Sequence, residues 1–339
     1  MRIPAFVRRF FESNAPSMEW VRLRLVILLA SFALLAIALL LLYAELFGPP
    51  SREDIEQFEF IVTPTDVEGD IAEVLEDAGL IRHALAFRIA HGSGVIRPGG
   101  YRLSLSMDAW TVADTLSRAP YLAWITIPEG LRKEELGELL KDELAWSPEE
   151  VSSWLTLPPA DSGLSEGIFF PDTYLIPSDQ RPEQVAARLR ARFEDAIAPY
   201  AEEAAATKLT WHEIVTLASI VEKESAKNDK PLVAGILLNR LERGMLLQAD
   251  ATLQYVKGNA EDWWPTPLSE DKYLESPFNT YSETGLPPQP IASPSLDSVL
   301  AVIRPQSTSC LYYLHDSRGR IHCSRNYAGH VANINRYLR

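Results

Sequence analysis

The spacing of apolar and polar positions changes along this chain, and each change predicts an element. Residues 25–44 carry no charge, and a helix needs ~20 such residues to cross the hydrocarbon core of a bilayer. The run therefore reads as a transmembrane helix. Glu45 and Pro49-Pro50 follow it, in place of the small-residue cleavage site of a secretory signal, so the anchor is expected to be retained. Arg2, Arg8, Arg9, Arg22 and Arg24 precede the span, whereas Arg52 beyond it sits among Glu45, Glu53, Asp54 and Glu56. This asymmetry predicts a cytoplasmic tail at 1–24 and a periplasmic remainder, anchored once in the inner membrane.

Beyond the span the periods are those of an α+β protein. Residues 58–62 read as a strand, 67–78 as a helix capped by Thr65 or Asp66 and stopped by Gly79, and 82–91 as a helix ended by Gly92-Ser93-Gly94. Residues 101–105 alternate as a strand, and a helix over 108–118 follows. The order strand, helix, helix, strand resembles a LysM-type module, a fold associated with N-acetylglucosamine polymers, and marks a subdomain at 55–120. A generic α+β spacer has the same order. A second, larger α+β domain fills 121–339, with a strand at 124–127, helices at 131–141 and from Ser147-Pro148, and a long amphipathic helix at 181–200. Its loop GIFFPD at 167–172 crowds aromatic rings whose exposure would be costly.

The most informative helix carries ASIVEKES at 218–225. Thr210 and Glu213 have the spacing of a capping box, which starts this helix near Trp211. Trp211, Ile214, Val215, Ala218 and Val221 then share one face, and Leu217 and Ile220 widen it. Glu222 and Glu224 fall about 160° apart, because two residues advance a helix by ~200°. They are not an adjacent acid pair, and periodicity alone does not choose between them. After another apolar helix at 231–241, LLQADATLQY is expected to be extended and to present Gln248, Asp250 and Thr252 to a groove. A stiff loop with Pro277, Pro287, Pro288, Pro290 and Pro294 carries Asn279 and Tyr281.

Composition narrows the class. A formal net charge of -14 argues against wrapping phosphate backbones, so no nucleic-acid partner is expected. Cys310 and Cys323 flank a predicted hairpin that turns around 316–319, and in an oxidising compartment they are placed to bridge. His212-Glu213 lacks the second histidine of a zinc helix, and the SxxK at 269–272 lacks its partner motif, so neither a metal nor another cofactor is called for.

Taken in order and spacing, FFPDTY, ASIVEKES, Asn239-Arg240, GMLLQADATLQY, Asn279-Thr280-Tyr281 and GLPPQPI resemble the endolytic murein transglycosylases of the MltG or YceG type, from about residue 55 to the C-terminus. The resemblance implies that Glu224, the second glutamate of the triplet, is catalytic. It implies a lytic transglycosylase acting on peptidoglycan glycan strands near the synthases in the membrane, with Gln248, Asp250, Thr252, Asn279 and Tyr281 holding sugar or tying loops. Asp172 reads as a turn residue and His330 as a structural histidine. Three positions depart from the family pattern: Ala251 stands where proline is usual, Gln289 where glycine is usual, and Cys323 where an aromatic residue is usual. Two alternatives stay open, a water-using muramidase with Asp250 or Asp172 as base, and a cell-wall-binding anchor protein without turnover.

Overall fold

The computed structural model describes residues 18–226 and 228–338 of a mixed helix and sheet protein, divided into two units between Tyr121 and Leu122. Arg2, Arg8 and Arg9 lie outside the described residues.

The first unit begins with α1 (Met18–Phe47), whose segment Arg22–Phe47 is exposed and is long and apolar enough to cross a membrane. Strand β1 (Phe58–Val62) follows, then three short helices, α2 (Pro64–Glu68), α3 (Ile71–Asp77) and α4 (Ala84–His91). Strand β2 (Gly99–Leu103) pairs antiparallel with β1, Phe58 opposite Leu103, and α5 (Ala109–Ser117) closes the unit. The single helix expected over 67–78 is in fact two. Thr63 and Asp66 form a capping box that starts a helix at Pro64, and the Asp70 side chain accepts from Ala72 N–H to start another after Gly69. The capping chemistry of Asp70 thus outweighs the apolar period running through it. Val62, Leu75, Phe87, Leu103, Val112 and Leu116 form the core.

In the second unit β3 (Leu122–Thr126) leads to α6 (Lys133–Leu144) and α7 (Pro148–Leu155), which starts at a Ser147–Glu150 capping box. Strand β4 (Thr173–Pro177) pairs antiparallel with β3, and α8 (Pro182–Ile197) and α9 (Ala201–Ala206) follow. The aromatic loop before β4 is buried rather than exposed. Phe169 packs on Trp154 with ring centroids 4.7 Å apart, and Phe170 on Phe193. Gly167 makes this possible: its φ is +80°, and a Cβ there would come within 2.6 Å of Pro290.

The core of this unit is built on α10 (Trp211–Glu224), packed by α11 (Lys230–Glu242), α12 (Asp250–Lys257) and α13 (Leu296–Ile303). Every residue of α10 from Ile214 to Val221 is buried, so the apolar arc expected for it closes into a full circle. Its two buried hydroxyls are satisfied locally: Thr216 donates to His212 O at 2.7 Å, and Ser219 donates to Thr216 O while accepting from Ile291 N–H. A hairpin of β5 (Tyr312–His315) and β6 (Ile321–Ser324) and a last helix, α14 (Tyr327–Tyr337), complete the chain. Cys310 and Cys323 are bonded to each other, with Cα atoms 5.8 Å apart. The segment 250–257, expected to be extended, is the helix α12. Its alternation of Asp250, Thr252 and Gln254 with apolar residues is a single turn-by-turn register in which Ala251, Thr252 and Leu253 are buried.

One buried carboxyl stands apart from this core. Glu166 accepts from Lys133 N–H at 3.0 Å and from Gly167 N–H at 3.2 Å, and burial pushes its pKa from 4.5 up to about 8. The folded state therefore holds a proton that the unfolded chain has released, and stability should fall as pH rises from about 4.5 towards about 8. At pH 7 this amounts to roughly 3 kcal/mol. Glu166→Gln should flatten that decline in urea-unfolding measurements between pH 5 and 8; a slope equal to the parent's would show that Glu166 is ionised in the folded protein.

Candidate active site

The capping box at Thr210 and Glu213 fixes where α10 begins, and the helix ends at Glu224, with Ser225 as the extended capping residue. Its two last carboxylates diverge as the helical period requires. Glu222 turns towards α11 and α13, where its carboxylate accepts from Lys230 Nζ at 3.1 Å, from Ser295 N–H at 2.9 Å and from the hydroxyls of Ser295 and Ser298. Burial pulls its pKa upward, but these donors outweigh it and hold the carboxyl below its ordinary value. Ser295 also caps α13, so Glu222 sits at the positive end of that helix. It is a joint between three helices.

Glu224 turns towards α12 and the hairpin. Its Oε1 accepts from Ala251 N–H at 2.8 Å, and its Oε2 accepts from the Tyr313 hydroxyl at 2.8 Å. Burial dominates and raises the pKa; the two donors pull it down in part, the Asp250 charge raises it again, and His315 lowers it. The outcome is a half-buried carboxyl that takes up a proton more readily than an ordinary glutamate, the property a general acid requires near neutral pH. Tyr313 is half-buried beside it, and desolvation together with the Glu224 charge keeps its hydroxyl protonated and donating.

The other residues predicted for the site divide into two groups. Asp250, exposed at the first position of α12, accepts from the Tyr281 hydroxyl at 2.5 Å. Burial and this carboxylate raise the Tyr281 pKa. Gln248 is exposed, with φ at +50°, and its N–H donates to Thr280 O. Glu224, Asp250 and Tyr281 thus come together, with Gln248 two residues before Asp250. Thr252 and Asn279 are fully buried instead. Thr252 donates to Ala249 O and meets the Thr280 hydroxyl at 2.9 Å. Asn279 donates to the carbonyls of Lys272 and Leu274 and accepts from Tyr281 N–H. Both tie loops together, because no face of either is left towards solvent.

Tyr313, His315 and Asp229 were not singled out from sequence. Tyr313 is 89 positions from Glu224, and the only signal that bears on it is the hairpin expected between Cys310 and Cys323. His315 meets Asp229 at 2.8 Å in the turn between α10 and α11. Arg240, buried on α11, donates to Leu311 O at 2.6 Å and to Leu247 O, and so fixes both the strand bearing Tyr313 and the segment leading to Ala251. Ala251 contributes only its N–H, which the proline usual in the resembling family lacks. Gln289, the second departure, uses its side chain to join the loop to Ser165 N–H and Gly163 O. His330 stacks on Tyr312, ring centroids 5.5 Å apart, and Asp172 pairs with Arg192 at 2.8 Å. Among the described residues no group of three or more His, Cys, Asp or Glu is arranged to hold a metal ion.

Glu224, whose carboxyl takes up a proton more readily than an ordinary glutamate, thus stands at the end of α10 with the Asp250 carboxylate beside it, on a mixed helix and sheet scaffold. Residues 60–336 match the model of the YceG-like family, and the chain belongs to that family. The endolytic murein transglycosylase of Streptococcus pneumoniae serotype 2 strain D39 is 30% identical over 310 residues, covering 78% of this chain and 55% of that protein. The chain thus spans about half the length of this relative. The endolytic murein transglycosylase of Bacillus subtilis strain 168 is 27% identical over 295 residues, covering 79% of this chain and 81% of that protein. A crystal structure of a YceG-like protein from Listeria monocytogenes superposes with a TM-score of 0.55 at 25% identity, covering 82% of this chain and 99% of that one.

The geometry separates the two glutamates by stability. Glu222→Gln leaves Lys230 buried without its counter-charge and should cost roughly 3 kcal/mol in chemical unfolding. Glu224→Gln removes a carboxyl that burial disfavours as an anion and should leave stability unchanged or slightly raised. The reverse ranking would exchange the structural roles assigned to them. The donors to Glu224 can be removed one at a time. Ala251→Pro deletes a single N–H at the second position of a helix, where proline is tolerated, and Tyr313→Phe deletes the hydroxyl. Both should move the titration of the Glu224 carboxyl, followed by carbon-13 NMR, to higher pH; a titration unmoved in both variants would mean that neither donor holds the carboxylate.

Proposed function

We propose that the protein is a membrane-anchored endolytic lytic transglycosylase that cuts the MurNAc–GlcNAc bond of nascent peptidoglycan strands. The observation that carries this reading is Glu224, the site's one carboxyl whose pKa is raised while both of its oxygens are held by donors, in a chain of the YceG-like family. The names borne by the pneumococcal and Bacillus relatives support the same substrate class.

The chemistry needs only one such group. Protonated Glu224 gives its proton to the glycosidic oxygen, the bond from that oxygen to MurNAc C1 breaks, and positive charge develops at C1. The carboxylate left behind is held by Ala251 N–H and the Tyr313 hydroxyl, and it takes the proton of the MurNAc C6 hydroxyl as that oxygen bonds to C1. The products are a free GlcNAc 4-hydroxyl and a 1,6-anhydroMurNAc end, with no water consumed. Glu224 ends the cycle protonated. Asp250 and Gln248 supply exposed polar groups, and Tyr281 a half-buried one, for sugar hydroxyls and acetamido groups beside it, while Thr252 and Asn279 keep those residues in place.

In this reading residues 1–24 are a cytoplasmic tail, 25–44 cross the inner membrane once, 55–120 form a LysM-like subdomain, and 121–339 are the periplasmic catalytic domain. A groove of about 350 Å³ in the first unit, lined by Val67, Asp70, Ile71, His91 and Val95, supports a glycan-holding role for that subdomain. The membrane-bound synthases that extrude new strands are the natural neighbours of an enzyme held at this level.

Digestion of purified sacculi by the full-length protein in detergent, with mass analysis of the products, tests the mechanism. The parent should release 1,6-anhydroMurNAc ends, and Glu224→Gln should lose far more than the ~10²–10⁴-fold typical of general acid–base help, because one group serves both steps. Reducing ends from the parent would instead assign a water-using reaction with Asp250 as base. Binding to sacculi without any product would leave a wall-binding protein.

A further inference from the structure

The first unit exposes an apolar stripe that neither its core nor the proposed chemistry uses. On α4, Leu85 is 60% and Ile89 56% exposed, one helical turn apart on the same face, while Ala84, Ala86 and Phe87 on the other side are buried. Trp110, 44% exposed, stands at the start of α5, which packs along α4. Isolated exposed apolar residues are ordinary, but this set adjoins the end of the membrane-spanning helix.

The junction is stitched rather than flexible. Arg82, just ahead of α4, pairs with Glu45 at 2.7 Å and donates to Pro49 O at 2.9 Å. Trp110 Nε1 donates to the Tyr43 hydroxyl at 3.0 Å, and Phe47 stacks between the rings of Tyr43 and Trp110, at 4.8 Å and 5.7 Å. The connecting segment is pinned as well, by Ser51 N–H to Leu105 O and by Ser104 Oγ to Asp54 O. At a rise of ~1.5 Å per residue, the uncharged run ending at Ala44 fills ~30 Å of hydrocarbon. Tyr43 then lies at the edge of the hydrocarbon and Glu45 and Phe47 at headgroup depth, levels that suit a tyrosine, a tryptophan and an ion pair. The side chains bonded to them lie at that depth too, and Leu85 follows Arg82 by three residues.

We infer that α4 is a membrane-seated helix, whose Leu85 and Ile89, together with Trp110, rest in the interfacial layer of the leaflet from which α1 emerges. The occupant of the stripe is lipid, because the stripe continues the surface of a helix that is itself surrounded by lipid. This rests on the anchor reading of α1 and adds to it: the first unit is held down on the bilayer instead of being tethered above it.

Site-directed spin labelling of the full chain in vesicles of phosphatidylethanolamine and phosphatidylglycerol tests this. The two cysteines are bridged, so single labels can be attached at Leu85→Cys, Ile89→Cys, Leu34→Cys and Glu68→Cys. All four positions are exposed, and replacement there leaves the core intact. The ratio of relaxation by oxygen to relaxation by a water-soluble nickel chelate should be several-fold higher at Leu85 and Ile89 than at Glu68, and lower than at Leu34. A lipid signal at Leu34 with a water signal at Leu85 and Ile89 would overturn the seating while leaving the anchor in place. A water signal at Leu34 would overturn the anchor reading and the seating with it.

Discussion

A carboxylate at the end of a helix whose middle is wholly buried has to find donors or take up a proton, and four elements of the second unit meet that requirement. Desolvation of an unpaired carboxylate costs several kcal/mol, so the chain around α10 must supply hydrogen bonds to Glu222 and Glu224 from elements remote in sequence. For Glu222 these come from Lys230 and from the start of α13; for Glu224 they come from the start of α12 and from β5. The same contacts fasten those four elements to one helix end. Arg240 reinforces the arrangement from behind by holding the backbone on both sides of the Glu224 pocket.

Two glutamates separated by one lysine are thereby given opposite properties. Glu222 has a cation and three serine donor groups, and its carboxyl is pulled below the usual range despite its burial. Glu224 has two neutral donors and a neighbouring carboxylate, and burial prevails. Divergent environments of this kind are what assign acid and structural roles to otherwise identical side chains. The contribution of Ala251 is a backbone one. Its N–H is available because position 251 is not a proline, and it lies at the start of a helix, where the first amide groups have no partner within the helix.

The loops that frame Glu224 are held by buried polar side chains rather than by sheet. Thr252, Thr280 and Asn279 have little or no exposure, and their hydrogen bonds close the segments at 248–252 and 272–281 onto each other. This leaves Gln248, Asp250 and Tyr281 on a base held by buried hydrogen bonds, which is how irregular backbone keeps its geometry. Gln289 does similar work for the proline-rich loop, joining it to the turn at 163–165.

Elements whose signals are local were legible in the amino-acid sequence. The apolar run of α1, the Ser147-Pro148 start of α7, the capping box that starts α10, strand β1 and the hairpin about residue 316 all follow from neighbouring residues, and the structure has them at or near the expected positions. The divergence of Glu222 and Glu224 was also legible, since it depends only on helical pitch. Local reasoning failed where two local signals competed, as at Asp70, or where tertiary burial overrode an alternating pattern, as at 250–257. It could not reach the partners of Glu224, because a hydrogen bond between residues 27 or 89 positions apart is set by how helices and strands pack, not by what either segment prefers alone. The sequence thus determined that two carboxylates would stand on opposite sides of a helix end; the tertiary structure decided which would be pulled below its ordinary pKa by donors and which would be raised above it by burial, because only packing fixes the distance from each to its neighbours.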